Sequence, residues 1–97
     1  MIEHLVLFKF KADAPPGQAE RVAAALKVLK NKIPGIIHLT SGLNFSDRAK
    51  GYELGLVVRF LDRAALDHYA QHPEHVAVVE KLVKPHAADV LALDYEF

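Results

Sequence analysis

Six histidines and three tyrosines are the residues of this 97-residue chain that could donate or accept protons in catalysis. Three of them fall on faces that point inward. His4 sits between Ile2 and Val6 on the apolar side of an alternating segment. Tyr69 shares a helical stripe with Leu66, and His75 lies near the start of a helical segment behind Pro73. Imidazole titrates near neutral pH, so either histidine could act as a general acid or base. A phenol can donate a hydrogen bond to a carbonyl or enolate oxygen. A helix start favours the neutral form of His75, which suits a base. Such a set can abstract a proton α to a carbonyl without a nucleophile, metal or cofactor. Each residue also has a plainer reading. His4 could be a hydrogen-bonded histidine near a strand end, Tyr69 a core tyrosine with its hydroxyl at the rim, and His75 a surface histidine at a turn.

Other chemistries are less well provided for. His68 and His72 have the i, i+4 spacing of a zinc-binding helix, with Glu74 and His75 close by. Pro73 interrupts that face, so no metal site is expected. His72, held extended before Pro73, is expected to bond back to the backbone at the break. His38 and His86 are isolated. Cysteine is absent, which removes thiolate nucleophiles, disulfides and Cys-type zinc sites. There is no phosphate-binding glycine loop and no nucleophile elbow. Glu53, Asp62, Asp67 and Glu80 show no pairing that suggests glycoside hydrolysis.

The elements that must position these residues follow from periodicity. Residues 2–11 alternate with period two and predict a strand whose even face is Ile2, His4, Val6, Phe8 and Phe10. Its odd face is also apolar, at Leu5 and Leu7. Pro15 and Pro16 stop that strand. Val22, Leu26, Leu29 and Ile33 form the buried stripe of a helix that ends at Pro34-Gly35. Residues 36–45 and 52–60 predict two strands joined by a polar hairpin loop, with Gly42 marking a bulge or a close backbone approach. Asp62 caps a short helix over 63–71. Pro73 opens another, over 74–84, and 88–97 predict a last strand with Leu91, Leu93, Tyr95 and Phe97 on one face.

The order β-α-β-β-α-β is a ferredoxin-like α+β arrangement, a four-stranded antiparallel sheet with helices on one face. The chain is expected to be a single domain over 1–97. No residues remain to cover the second sheet face, where Leu5, Leu7 and Val57 lie. A homodimer closing two such faces into a barrel is therefore expected. Twelve basic residues balance twelve acidic ones, which argues against nucleic-acid binding. No apolar run is long enough to span a membrane, and the N-terminus reads as a strand rather than a signal peptide. A cytoplasmic protein is expected.

The segments HLVLFKF at 4–10, IPGI at 34–37, the apolar strand at 51–60, LDHYAQHPEHV over 67–76 with its Tyr69…His72-Pro73-x-His75 block, and Asp94-Tyr95 resemble the stress-responsive A/B barrel (Dabb) family. The resemblance spans nearly the whole chain. It implies a dimeric α+β barrel. The family's polyketide cyclases, which perform a cofactor-free aldol cyclisation, imply His4, Tyr69 and His75 as catalytic residues and Val6 and Phe8 as pocket residues. Their bulky first-helix pocket positions fall on Val22, Ala23 and Leu26, which are smaller or differently shaped. His4, Tyr69, His75, Val6, Phe8, Val22, Leu26, Leu66 and Val79 would line a cavity between helices and sheet for a small apolar or aromatic ligand. Two alternatives stand beside that one: a non-catalytic stress-responsive binding or scaffold dimer, and a cofactor-independent monooxygenase-like enzyme.

Overall fold

Strict alternation over Ile2–Phe10 makes β1 a strand with one face for the core and one for the outside. In the computed structural model, which describes residues 1–97, Ile2, Val6 and Phe8 are buried from this strand. Helix α1 follows over Gln18–Lys27 and tightens into a 3-10 turn at Val28–Asn31. Strands β2 (Ile36–Leu43) and β3 (Leu54–Phe60) form a hairpin. Helices α2 (Arg63–Gln71) and α3 (Pro73–Val78) meet at Pro73, and strand β4 (Ala87–Glu96) ends the fold. The four strands form one antiparallel sheet in the order β2-β3-β1-β4. This is the ferredoxin-like arrangement.

The core lies between the helices and one sheet face. Val22, Leu26, Leu29 and Ile33 all turn inward, against Leu54, Leu56, Val58 and Phe60 of β3. Burying each such side chain stabilises the fold by about 1.5–3 kcal/mol. Asp62 caps α2 by accepting the Ala65 N–H at 2.9 Å. His72 caps α3, its Nδ1 accepting the Glu74 N–H at 3.1 Å. Gln18, the one buried polar residue, donates from Nε2 to the Leu82 carbonyl at 2.8 Å.

Three expectations are corrected. The sheet's register irregularities fall at Ile36/His38 of β2 and at Lys9/Phe10 of β1 and not at Gly42, where an added Cβ would meet nothing within 4 Å. β3 begins at Leu54, because Tyr52 closes the preceding turn by donating its N–H to the Ala49 carbonyl at 3.0 Å. The last helix does not stay α-helical to Lys84. It widens to a π-turn over Val79–Val83, where the Lys84 N–H reaches back to the Val79 carbonyl at 2.8 Å. Such turns often mark functional sites.

The opposite sheet face is bare. Leu7, Leu91, Leu93 and Tyr95 are all exposed on it. Arg59 of β3 forks onto Glu3 of β1 there, at 3.2 and 2.9 Å. That pairing pulls the Glu3 carboxyl below its usual range.

Candidate functional site

Strand pairing places His4 directly opposite Asp94. Both point to the inner side, and the His4 Nδ1–H donates to Asp94 Oδ1 in a short hydrogen bond. A carboxylate only accepts, so Nδ1 carries the proton in this contact. Asp94 was not singled out as a site residue from sequence. Only the register of β4 against β1 reveals it, and no local pattern encodes that register.

The turn between α2 and α3 positions His75. Its Nδ1–H donates to the Ala70 carbonyl at 3.1 Å, which leaves Nε2 as the basic nitrogen. Burial lowers the His75 pKa; the Ala70 carbonyl opposes that and the neighbouring His4 reinforces it. The neutral form is thus favoured through desolvation rather than through the helix start.

Tyr69 joins the two. Its ring lies 4.3 Å from the His75 ring, 6.0 Å from the His4 ring and 5.1 Å from Phe60. The residue is 1% exposed and its hydroxyl has no hydrogen-bond partner. The hydroxyl is therefore not at the rim. Burial pushes its phenol well above the usual tyrosine range, so it stays a neutral donor.

An apolar cleft of about 460 Å³ opens beside this cluster. His4, Val6 and Phe8 of β1 form its floor, Leu26, His75, Val79 and Val83 one wall, and Val90 and Ala92 of β4 the other. Its size suits a small organic ligand. The three β1 residues span about 13 Å along the strand. Both histidines lie toward one end, and Lys84 and Asp89 lie at the other.

Six of the nine residues expected at the site line this cleft: His4, Val6, Phe8, Leu26, His75 and Val79. Tyr69 packs behind His75, outside the lining. Val22 is fully buried in the core, because it faces the sheet under α1. Leu66 borders a separate small hollow with Ile2, Arg63, Asp94 and Tyr95. Helical spacing marked both as inward but could not tell depth from access. A larger groove of about 640 Å³ runs along the β1–α1 loop, but its lining mixes charged side chains with alanine, proline and glycine and holds no histidine. His68 and His72 stack edge to face at 5.4 Å, and no three ligating side chains gather around a common point. No helix is long and apolar enough to cross a membrane.

The family model described as the stress responsive A/B barrel domain matches residues 2–97. A stress-response A/B barrel domain-containing protein of Arabidopsis thaliana is 34% identical over 96 residues, covering 98% of this chain. The chain spans only 36% of that relative's length. An uncharacterized protein of Streptomyces coelicolor is 37% identical over the full length of both chains. Among solved structures, a dimeric protein of unknown function and ferredoxin-like fold from Bacteroides fragilis superposes with a TM-score of 0.84. It is 31% identical, with 99% of this chain and 95% of that chain covered. A dimeric ferredoxin-like protein from Thermobifida fusca gives 0.86 at 27% identity, covering 99% and 90%. Hydroxynitrile lyase from Passiflora edulis gives 0.83 at 19% identity, covering 97% and 90%, which is a likeness of fold.

Proposed function

The chain belongs to the stress-responsive A/B barrel domain family, and from that premise we propose that it is a homodimer whose cleft takes a small apolar or aromatic carbonyl compound and performs cofactor-free acid–base chemistry on it. The observation that carries this reading is the gathering of His4, Tyr69 and His75 at one end of an apolar cleft, with both imidazoles donating from Nδ1 to fixed partners.

In this reading His75 Nε2 is the base. It is neutral, partly desolvated and braced by the Ala70 carbonyl. It takes a proton from the carbon next to the ligand carbonyl, and negative charge builds on the oxygen. The ligand oxygen enters past the cleft lining to the Tyr69 hydroxyl, which is buried, neutral and lacking a partner, and takes its donation there. His4, oriented by Asp94, positions the ligand or passes the proton on. An aldol-type ring closure or a related proton-transfer step fits this set. The homodimer forms through the bare sheet face, and the dimeric relatives support this. The cytoplasm is the compartment proposed for it.

The test is deuterium uptake at the methyl carbon of acetophenone in heavy water, followed by NMR. The wild type is expected to accelerate uptake, and His75→Ala to lose about 100-fold or more of that acceleration while keeping its dimer mass. Lack of both acceleration and any shift of the His4 or His75 ring signals, across a series of aryl ketones, would overturn the proposal.

The full seclusion of Tyr69 favours a second reading, a non-catalytic binding module in which the aromatic cluster is only core. Saturable shifts at the cleft residues without any deuterium uptake would select it.

A further inference from the structure

β4 is the least supported wall of the cleft. It is an edge strand paired only with β1, and every residue from Ala88 to Glu96 is exposed. Its outer face presents Leu91, Leu93 and Tyr95, exposed by 52%, 60% and 48%. Yet this strand carries Asp94, which orients His4, and Val90 and Ala92, which wall the cleft. A strand bare on both sides has few apolar contacts to hold it. In a lone protomer it belongs to the low-stability, locally opening part of the fold.

The other half of the same sheet face holds a hollow. Gly42 of β2 and Gly55 of β3 are register partners, and the space above Gly42 is empty within 4 Å. A depression of about 320 Å³ lies there, bordered by Leu7 and by Asn44, Phe45, Ser46, Ala49 and Tyr52 of the segment joining β2 to β3. The rungs joining hollow and ridge are uncharged: Gly42–Gly55–Leu7–Leu91 and Thr40–Val57–Leu5–Leu93. The nearest ion pair on the face, Arg59 with Glu3, is satisfied within the protomer. A two-fold axis along the strands lays β4 of one copy over β2 and β3 of the other, and does so twice. The face measures roughly 500 Å² in flat projection. With side-chain relief it approaches the ~800 Å² per partner that a stable dimer buries.

We propose that the cleft is held in its working form only in the dimer. Leu91 of the β4 ridge seats in the Gly42–Gly55 hollow of its partner and Leu93 lies over the Thr40–Val57 rung, and this docking holds β4 so that Asp94 orients His4. The inference builds on the homodimer and cleft of the proposed function and adds that the one depends on the other.

Gly42→Phe tests it from the far edge of the sheet. Gly42 has no left-handed backbone and touches neither the cleft nor β4, so the added ring fits the lone protomer. Light scattering gives the mass, hydrogen exchange the protection of β4 amides, and NMR both the His4 Nδ1 proton and acetophenone binding. The expected result is a folded monomer with β4 exchange about ten-fold faster or more and the His4 signal lost. Acetophenone affinity should fall about ten-fold with it. Leu93→Glu, from the ridge side, should give the same result and guards against a single misfolded variant. A monomer with unchanged β4 protection and His4 signal overturns the coupling. A Gly42→Phe protein that stays dimeric overturns the seating of the ridge in the hollow. Should the wild type bind no acetophenone, the ligand reading fails alone, and the exchange and His4 signals still decide the coupling.

Discussion

Tyr69→Phe should make the protein more stable while disabling it. The Tyr69 side chain is 1% exposed, and folding carries its hydroxyl out of water without returning a hydrogen bond. An orphaned buried polar group of this kind costs about 1–3 kcal/mol. Phenylalanine keeps the ring and its packing on Phe60 and His75. The missing oxygen leaves a gap that forfeits a few atom contacts, worth about 0.1–0.2 kcal/mol each. The net gain is therefore about 1 kcal/mol. In a chain of this size that raises the thermal midpoint by about 4–8 °C. The assay is thermal unfolding followed by circular dichroism, with both proteins at one protomer concentration, since dissociation of a dimer makes the midpoint depend on it. A urea titration should show a higher midpoint with an unchanged slope. A lower midpoint would refute the reasoning, because it would mean that the hydroxyl has a partner in solution. Under the proposed function the same variant loses the donor for the developing oxyanion, and ketone deuteration should fall by about 100-fold. Stability and activity would then move in opposite directions, as they do where a site is kept at the expense of the fold.

Three further outcomes are expected. Burial holds the His75 pKa below its ordinary 6.5, so the unfolded chain takes up this proton first as pH falls. The linked stability is present above pH 6.5 and is lost as pH drops toward the folded value; urea midpoints should fall as the pH is lowered through 6.5, and less so in His75→Gln. Asp62→Ala removes the cap on the Ala65 N–H and should cost about 1 kcal/mol in urea unfolding, with ketone deuteration unchanged. Leu26→Ala opens the cleft wall from the core side and should cost about 2–5 kcal/mol; calorimetry should also show tighter binding of bulkier aryl ketones than in the wild type.

Local pattern decided the architecture. The alternation from Ile2 to Phe10 and the stripe Val22-Leu26-Leu29-Ile33 name their own faces, and Pro34 and Pro73 name their own breaks. What escaped was whatever depends on distant pairing. Asp94 reads as an ordinary polar residue in an exposed strand until β4 is laid in register against β1. Val22 and Leu66 share the periodicity of lining residues, but depth beneath the sheet and distance from the cleft separate them from it. Gly42 looked like a bulge because a glycine weakens a strand, whereas its effect here is to leave the outer face hollow. The π-turn at Val79–Val83 has no sequence mark of its own.

The cleft and the bare sheet face are separated by single residues. On β1, His4 and Val6 face the cleft, and Leu5 and Leu7 face away. On β4, Asp94 reaches His4, and Leu93 and Tyr95 on either side of it point to the bare face. Side chains alternate with period two, so a one-residue slip of β4 would exchange the two sets. Asp94 would then leave His4, and a leucine would face the imidazole. Seating Leu91 and Leu93 against a partner, as proposed, would penalise that slip, because the slipped strand would turn Asp94 to the covered face. The proposed contact over the outer face would thereby select the register that builds the inner one. A change at Gly42, at the far side of the sheet, is for this reason expected to be felt at His4.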